Sequence, residues 1–224
     1  MERVPEPELM LDEEQALAYA SADFEEPHSR FIALLQARLP NLPSTGHALD
    51  LGCGPGDITR RFVRAFPGWT VDAIDGSPAM LALGRRATAE AGLTSRIQLY
   101  EVLLPAESLP RDGYALIFSN SLLHHLHDPA VLWSSLQRWA QPQTRVFVMD
   151  LLRPANLAEA QALVAHYSAD EPEILRNDFF NSLLAAYRPT EVLGQLEKAG
   201  LGHLKIEVVS DRHFIVWGSA HAGG

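Results

Sequence analysis

The stretch ALDLGCGPGD, residues 48 to 57, sets glycine at positions 52, 54 and 56 directly behind a compact apolar run. The run HALDLG is too short for a helix and is closed by glycines, which reads as a buried strand. Behind the glycines, ITRRFVRAF brings Ile58, Phe62, Val63 and Phe66 to one side at helical spacing. A glycine-rich turn joining a strand to a helix lets the backbone approach a ligand closely and aims helix N-terminal amides at it. The chain therefore needs a fold in which strands feed helices across a shared crevice.

The rest of the sequence repeats that unit. WTVDAIDG (69–76) reads as a second strand, PAMLALGRRATAEAG as a helix and RIQLYEVL as a third strand. YALIFSN, the helix PAVLWSSLQRWA and the strand TRVFVMDLL follow. Strands and helices in strict alternation, without hairpin signals, predict right-handed crossovers and a parallel sheet covered on both faces. Residues 12–39 ahead of the glycine turn read as helical, with FIALLQARL strongly apolar. After the fifth strand the pattern changes: residues 153–189 hold two helices, LAEAQALVAHYSA and PEILRNDFFNSLLAAY, and no strand. One more helix, PTEVLGQLEKAG, leads to HLKIEVVSD and RHFIVWG, close enough to pair as an antiparallel hairpin at the sheet edge. The expectation is one domain over 1–224, with 153–189 as a helical insertion serving as a lid.

Composition narrows the ligands. The formal net charge is −10, only Lys198 and Lys205 are lysines, and no basic stripe offsets the acidic balance, which disfavours nucleic acid. No apolar run approaches a membrane span and no signal-peptide pattern is present. Cys53, the single cysteine, excludes an intrachain disulfide and suits a reducing compartment, so a cytoplasmic location is expected. The glycine turn lacks the Gly-Lys-Ser/Thr of a P-loop, and the third slot of a dinucleotide fingerprint holds Asp57. A carboxylate there suits the helix N-terminus and repels a pyrophosphate. Asp50, near the end of the first strand, can face a cation. Asp75, at the end of the second, suits a ribose diol. Two carboxylates without a phosphate grip describe a zwitterionic or cationic nucleoside such as S-adenosyl-L-methionine.

With ALDLGCGPG followed by AIDGSPAML and YALIFSNSLLHHLHDP, the chain resembles the class I S-adenosylmethionine-dependent methyltransferase family over roughly residues 30–150. The resemblance implies a Rossmann-like three-layer α/β sandwich. Its seven-stranded, mostly parallel sheet would have order 3-2-1-4-5-7-6 and one antiparallel strand. It implies that Gly52, Cys53, Gly54 and Gly56 wrap the methionine moiety and that Asp50 meets its amino group. Asp75 and Gly76 would hold the ribose, Ser77 and Met80 the adenine, and Asn120 the methionine end. The family's usual aspartate after the third strand is missing: VLLPAESLP puts Pro105 near its slot. Adenine is therefore expected against the backbone around Val102, Leu103 and Leu104, or against Glu107.

The run SNSLLHHLHDPAVLW holds His124, His125 and His127, with Asp128 next. Consecutive histidines diverge in most backbone conformations, so no metal is expected. Asp128 before a proline reads as a helix cap and His127 as exposed or bound to local backbone. His124 is expected to face the acceptor as a general base, and His125 to shape the same pocket. In the insertion Tyr167, Asn177, Asp178, Asn181, Tyr187 and Arg188 are candidates for the acceptor pocket, and Arg212 stands at its rim beside His213. Methyl transfer from a sulfonium is a one-step in-line displacement onto an O, N, S or C nucleophile. The expected function is thus a methyltransferase acting on a small molecule, as a monomer or homodimer. Three alternatives remain open on the sequence: an NAD(P)-dependent oxidoreductase, a non-catalytic S-adenosylmethionine-binding or interaction protein, and a protein or RNA methyltransferase.

Overall fold

A computed structural model describes residues 1–6 and 12–222. The glycine turn sits where the sequence puts it, between strand β1 (Thr45–Leu51) and helix α3 (Asp57–Ala65). Around it the chain alternates β2 (Gly68–Asp75), α4 (Pro78–Glu90), β3 (Ile97–Glu101), β4 (Tyr114–Asn120), α5 (Ala130–Arg138) and β5 (Ala140–Leu151). Helices α6 (Leu157–Tyr167), α7 (Glu173–Ala185) and α8 (Pro189–Lys198) precede β6 (Lys205–Val208) and β7 (His213–Ser219). The seven strands form one sheet of order β3-β2-β1-β4-β5-β7-β6. β7 runs antiparallel to both of its neighbours, β5 and β6, and the other pairs are parallel. This is the order and polarity expected from the resemblance.

Alternation along each strand sends side chains to two apolar layers. Leu49, Leu51, Ile117, Val146 and Val148 pack on one face with Leu132, Trp133 and Leu136 of α5 and Val192 and Leu196 of α8. Ala48, Leu116, Phe118, Phe147 and Met149 pack on the other with Phe62 and Val63 of α3. Phe31 and Leu35 of helix α2 (Glu25–Arg38) complete that second layer. Both layers are buried, which matches the near-continuous apolar runs of the parallel strands.

The helical reading of 12–39 needs one correction. The segment is two helices, α1 (Glu13–Ser21) and α2, broken at residues 22–24. Pro27 lies in the first turn of α2, where a missing amide costs nothing, but its ring bars a helix continuing from upstream. The Asp23 carboxylate accepts from the Glu25 amide at 2.9 Å and starts the new helix. This break turns α1 across the crevice at the C-terminal ends of β1, β2 and β4. Among the described residues no helix is long and apolar enough to cross a membrane.

Candidate active site

The strand order reverses between β1 and β4, and ligands of open α/β sheets bind at such a switch point. The backbone there is specialised: Gly52, Gly54 and Gly56 all hold left-handed φ values of 69°, 52° and 72°. A Cβ on Gly52 would lie 2.8 Å from Leu122, whereas one on Gly54 would meet nothing within 4 Å. A side chain at Gly52 would have to displace Leu122 as well as hold a left-handed φ, and Gly54 keeps open the space in front of the loop. Asp75 latches this loop, accepting from the Gly54 amide through Oδ2 and the Ser77 amide through Oδ1, each at 2.8 Å.

A cavity of about 270 Å³ lies over the loop. Asp50, Gly52, Cys53, Gly54, Asp75, Gly76, Ser77, Met80, Leu103, Leu104 and Asn120 all line it, and Gly56 lies behind them as the cap of α3. Asp50 is 2% exposed and accepts from Thr59 Oγ1 at 2.5 Å. Burial outweighs that bond and lifts its carboxyl to about 7. Burial also raises Asp75, against the two amides it accepts. The Cys53 thiol is pushed well up by burial and the nearby carboxylates, which removes it from thiolate chemistry. Ser77 caps α4, its Oγ accepting from the Met80 amide at 3.2 Å. Asp57 also lines the cavity. Burial would raise its carboxyl, but bonds from His28 at 2.8 Å and Arg61 at 2.7 Å hold it well below the usual range. The charge that the sequence presented as bare is thus paired. Val102, Leu103 and Leu104 reach the cavity from the β3 side, and Glu107 does not line it.

A second cavity of about 420 Å³ adjoins the first and shares Tyr19, Phe24, His28, Asn120, Ser121 and His125 with it. Ser121, a non-glycine residue at φ 55°, turns the chain sharply after β4 into a short 3-10 turn over Leu123–His125. His124 is 2% exposed on the wall of the second cavity, and its Nδ1 is 2.6 Å from Asp150 Oδ1 at the end of β5. Asp150 Oδ2 accepts from the Leu123 amide at 2.8 Å, so one buried carboxylate fixes both the turn and the ring. Burial works against protonation of His124, but Asp150 and Glu6 leave it more basic than an ordinary imidazole. His125 is the more open of the two and lines both cavities. His127 is exposed and bonds the Glu6 carbonyl at 3.1 Å. Asp128 accepts from the Ala130 amide at 2.9 Å, but Pro129 takes the cap position of α5 and the helix starts one residue later than expected.

The acceptor-side candidates divide. Tyr167, Asp178 and Arg212 line the second cavity. Asn177 and Asn181 are exposed on α7 because the helix turns Leu175, Asp178, Phe179 and Ser182 inward instead, an i, i+3, i+4, i+7 stripe. Tyr187 is buried, donating to the Leu126 carbonyl at 3.2 Å beneath Arg3, whose guanidinium sits 4.2 Å from its ring. Arg188 precedes α8 and bonds the Met1 carbonyl at 3.3 Å. None of these four lines either cavity. Arg212 stacks on Tyr167 at 3.3 Å and reaches Glu26 at 3.1 Å. His213 is driven down to about 3 by burial and by Arg212.

Several site residues carry no signal in the sequence. Tyr19, Phe24 and His28 arrive because α1 and α2 fold over the crevice, and Asp150 because β5 lies beside β4. Glu6 comes from the N-terminal segment, which Arg3 ties down through bonds to the carbonyls of Ala185 (2.6 Å), His124 (2.8 Å) and Leu126 (3.1 Å). Burial raises the Glu6 carboxyl, against the pull of His124.

Comparison with known proteins places this geometry. Residues 49–146 match a family model described as a methyltransferase domain. The chain is 33% identical over 150 residues, 67% of its length, to a trans-aconitate 2-methyltransferase of Rhizobium meliloti (strain 1021), covering 54% of that protein. It is 32% identical over 121 residues, 54% of its length, to a trans-aconitate 2-methyltransferase of Escherichia coli O157:H7, covering 44% of it. The chain thus spans about half the length of the curated relatives it matches. In fold it resembles a SAM-dependent methyltransferase from Aquifex aeolicus, with TM-score 0.68 and 18% identity over 93% of this chain and 98% of that one. The plantazolicin methyltransferase BpumL in complex with a monoazolic desmethylPZN analog and SAH gives TM-score 0.70 and 14% identity, over 91% and 88% of the two chains. The sheet order, the latched glycine loop and the sequence match together show that the chain belongs to the class I S-adenosylmethionine-dependent methyltransferase family.

Proposed function

We propose that this chain transfers the methyl group of S-adenosylmethionine to a small-molecule acceptor held in the second cavity, under a lid formed by residues 153–189. The observation that carries the reading is the junction of the two cavities at Asn120, Ser121 and His125. A methyl group presented from the first cavity would meet an acceptor approaching from the second. The residues of the first cavity fit the cofactor. Gly54 leaves room for a ligand against the loop, Asp75 retains lone pairs for a ribose diol, and Asp50 offers a carboxyl to a cationic amino group. When bound, the cofactor supplies a sulfonium-activated methyl group, so the protein's work is alignment and exclusion of water. Tyr19, Phe24 and α7 close over that path. His124, with Nδ1 committed to Asp150, keeps Nε2 as the nitrogen able to take a proton from an acceptor hydroxyl.

The wall of the second cavity also bears on the acceptor. Trans-aconitate, named for the relatives above, is a tricarboxylate. Here Arg212 and Arg30 are both drawn to Glu26, and Asp23, Glu171 and Asp178 line the same space. A polyanion would be repelled, so the favoured acceptor is neutral or cationic, partly apolar and hydroxylated. The test is calorimetric titration with S-adenosylhomocysteine, then mass spectrometry of a panel of hydroxylated aromatics and small polycarboxylates incubated with enzyme and methyl donor. Binding, with methylation confined to the uncharged members, is expected. Absence of S-adenosylhomocysteine binding would end the proposal, and preferred methylation of tricarboxylates would end its acceptor assignment.

A further inference from the structure

The consecutive His124 and His125 line the second cavity, and Glu6, from the distant N-terminal segment, meets them there, each group bringing one donor atom. Glu6 Oε1 lies 3.2 Å from His125 Nδ1 and 3.6 Å from His124 Nε2. The three donor atoms fall within 4.8 Å of one another. As charge-assisted hydrogen bonds these distances are long, since such bonds run about 2.7–2.9 Å, and the neighbouring His124–Asp150 contact is 2.6 Å. They lie close to the spacing of donors sharing one ion, since two ligands about 2.0–2.2 Å from a tetrahedral centre stand about 3.3–3.6 Å apart.

The surroundings add what a metal site needs. Asp150 holds the Nδ1 side of His124, which fixes the ring and makes the opposite nitrogen a better ligand, the usual outer partner of a metal-bound histidine. Ser182 Oγ donates to both Glu6 oxygens, at 3.0 and 3.3 Å, orienting the carboxylate. Consecutive histidines would ordinarily diverge. Here the left-handed turn at Ser121 and the 3-10 turn bring the rings to 4.2 Å between centroids, tilted by 35°. The Glu6 side chain is 11% exposed and that of His124 2%, so the cluster is sheltered on the protein side. His125, at 26%, faces the cavities.

We propose that Glu6, His124 and His125 bind one divalent first-row transition ion of the zinc type, with a fourth position open to the second cavity for an oxygen of the acceptor. Two imidazoles and one carboxylate suit such an ion and disfavour magnesium, which prefers oxygen ligands alone. The role of the ion rests on the reading of that cavity as the acceptor's place. With the ion bound, His124 is a ligand and not a base. An acceptor hydroxyl at the open position is acidified and yields its proton to solvent. Its oxygen then bonds to the methyl carbon as the carbon–sulfur bond breaks, and the sulfonium leaves as a neutral thioether.

Untagged protein, stripped with a chelator, is titrated with Zn²⁺ by competition against a chromophoric chelator, with Co²⁺ by visible absorption, and with Mg²⁺. About one equivalent of Zn²⁺ or Co²⁺ per chain and no competing Mg²⁺ are expected. Glu6→Gln and His125→Ala should each weaken Zn²⁺ at least about tenfold, while Glu6→Gln keeps wild-type S-adenosylhomocysteine affinity and circular dichroism. No stoichiometric uptake by the wild type, or uptake unchanged in both variants, overturns the site. If that protein still binds S-adenosylhomocysteine and methylates an acceptor after chelation, the methyltransferase reading stands without the ion. Failure to bind S-adenosylhomocysteine strikes the first cavity alone.

Discussion

Asp75 joins stability to cofactor binding, and replacing it separates two views of what the residue does. Its carboxylate accepts the Gly54 and Ser77 amides at 2.8 Å each, so it braces the glycine loop before any ligand arrives. Hydrogen bonds to a charged acceptor contribute roughly 1.5–3 kcal/mol each. Both amides border the cavity, where solvent can partly replace the carboxylate, so each bond is discounted to about 1–1.5 kcal/mol and the pair is worth about 2–3 kcal/mol. For a chain of this size that corresponds to a fall in Tm of roughly 4–12 °C in Asp75→Ala without ligand. Losing a bond to a ribose hydroxyl adds about 10- to 100-fold in S-adenosylhomocysteine affinity. Asp75→Asn is not a mild change here. Its amide group can accept from one of the two backbone amides but must turn its own donors toward the other. Differential scanning fluorimetry of the unliganded variants and calorimetry with S-adenosylhomocysteine read the two effects independently. An Asp75→Ala Tm within about 1 °C of wild type would refute the latch, and unchanged affinity would refute the cofactor contact.

Other predictions follow from the same crevice. Asp50 titrates near 7 in the folded chain against about 3.9 when unfolded. Because the folded value is the higher, its contribution to stability is greatest below about pH 4, falls as pH rises toward 7 and is flat beyond. The stability difference between wild type and Asp50→Asn should follow that slope in denaturant titrations, and a pH-independent difference would contradict it. If Asp50 pairs with the cofactor's amino group, S-adenosylhomocysteine binding at pH 6 should release up to about one proton, seen as buffer-dependent heat in wild type and absent in Asp50→Asn. Gly52→Ala should lower Tm more than Gly54→Ala, because only the former drives a Cβ to 2.8 Å from Leu122. Gly54→Ala should instead weaken cofactor binding, and equal Tm losses would undo the distinction. On α7, Asn177→Ala and Asn181→Ala should each change stability by no more than about 0.5 kcal/mol and leave turnover intact. Phe179→Ala, on the inward stripe, should raise the acceptor KM.

The sheet and the first cavity were legible in the sequence because local signals fix them. Strand and helix periods differ, glycine marks left-handed backbone, and Asp50 and Asp75 sit within a few residues of the turn they serve. The second cavity was legible only in part, since it is assembled from segments distant in the chain. Asp178 and Asn181 look equivalent in sequence, and only the packing of α7 decides that Phe179 and Asp178 turn inward. Asp150 reads as one more residue of an apolar strand until β5 is set beside β4. Glu6 has no local motif at all, and its meeting with His124 and His125 depends on Arg3 capturing three backbone carbonyls. The opposite failure is Asp57, whose charge and i+4 partner Arg61 are plain in the sequence, while its other bonding partner, His28, lies 29 residues away on another helix.

The sheet order also bears on how the chain reaches this structure. β7 follows β6 in the chain and so leaves the ribosome after it, yet it lies inside the sheet between β5 and β6. Until it arrives, β5 presents Val146, Phe147, Val148 and Met149 with one row of backbone donors and acceptors unpaired. An apolar, open strand edge is a template for pairing with other chains. Synthesis therefore passes through a stage at which most of the first cavity can already form while the molecule is at its most adhesive, and the step that ends this hazard is the insertion of β7.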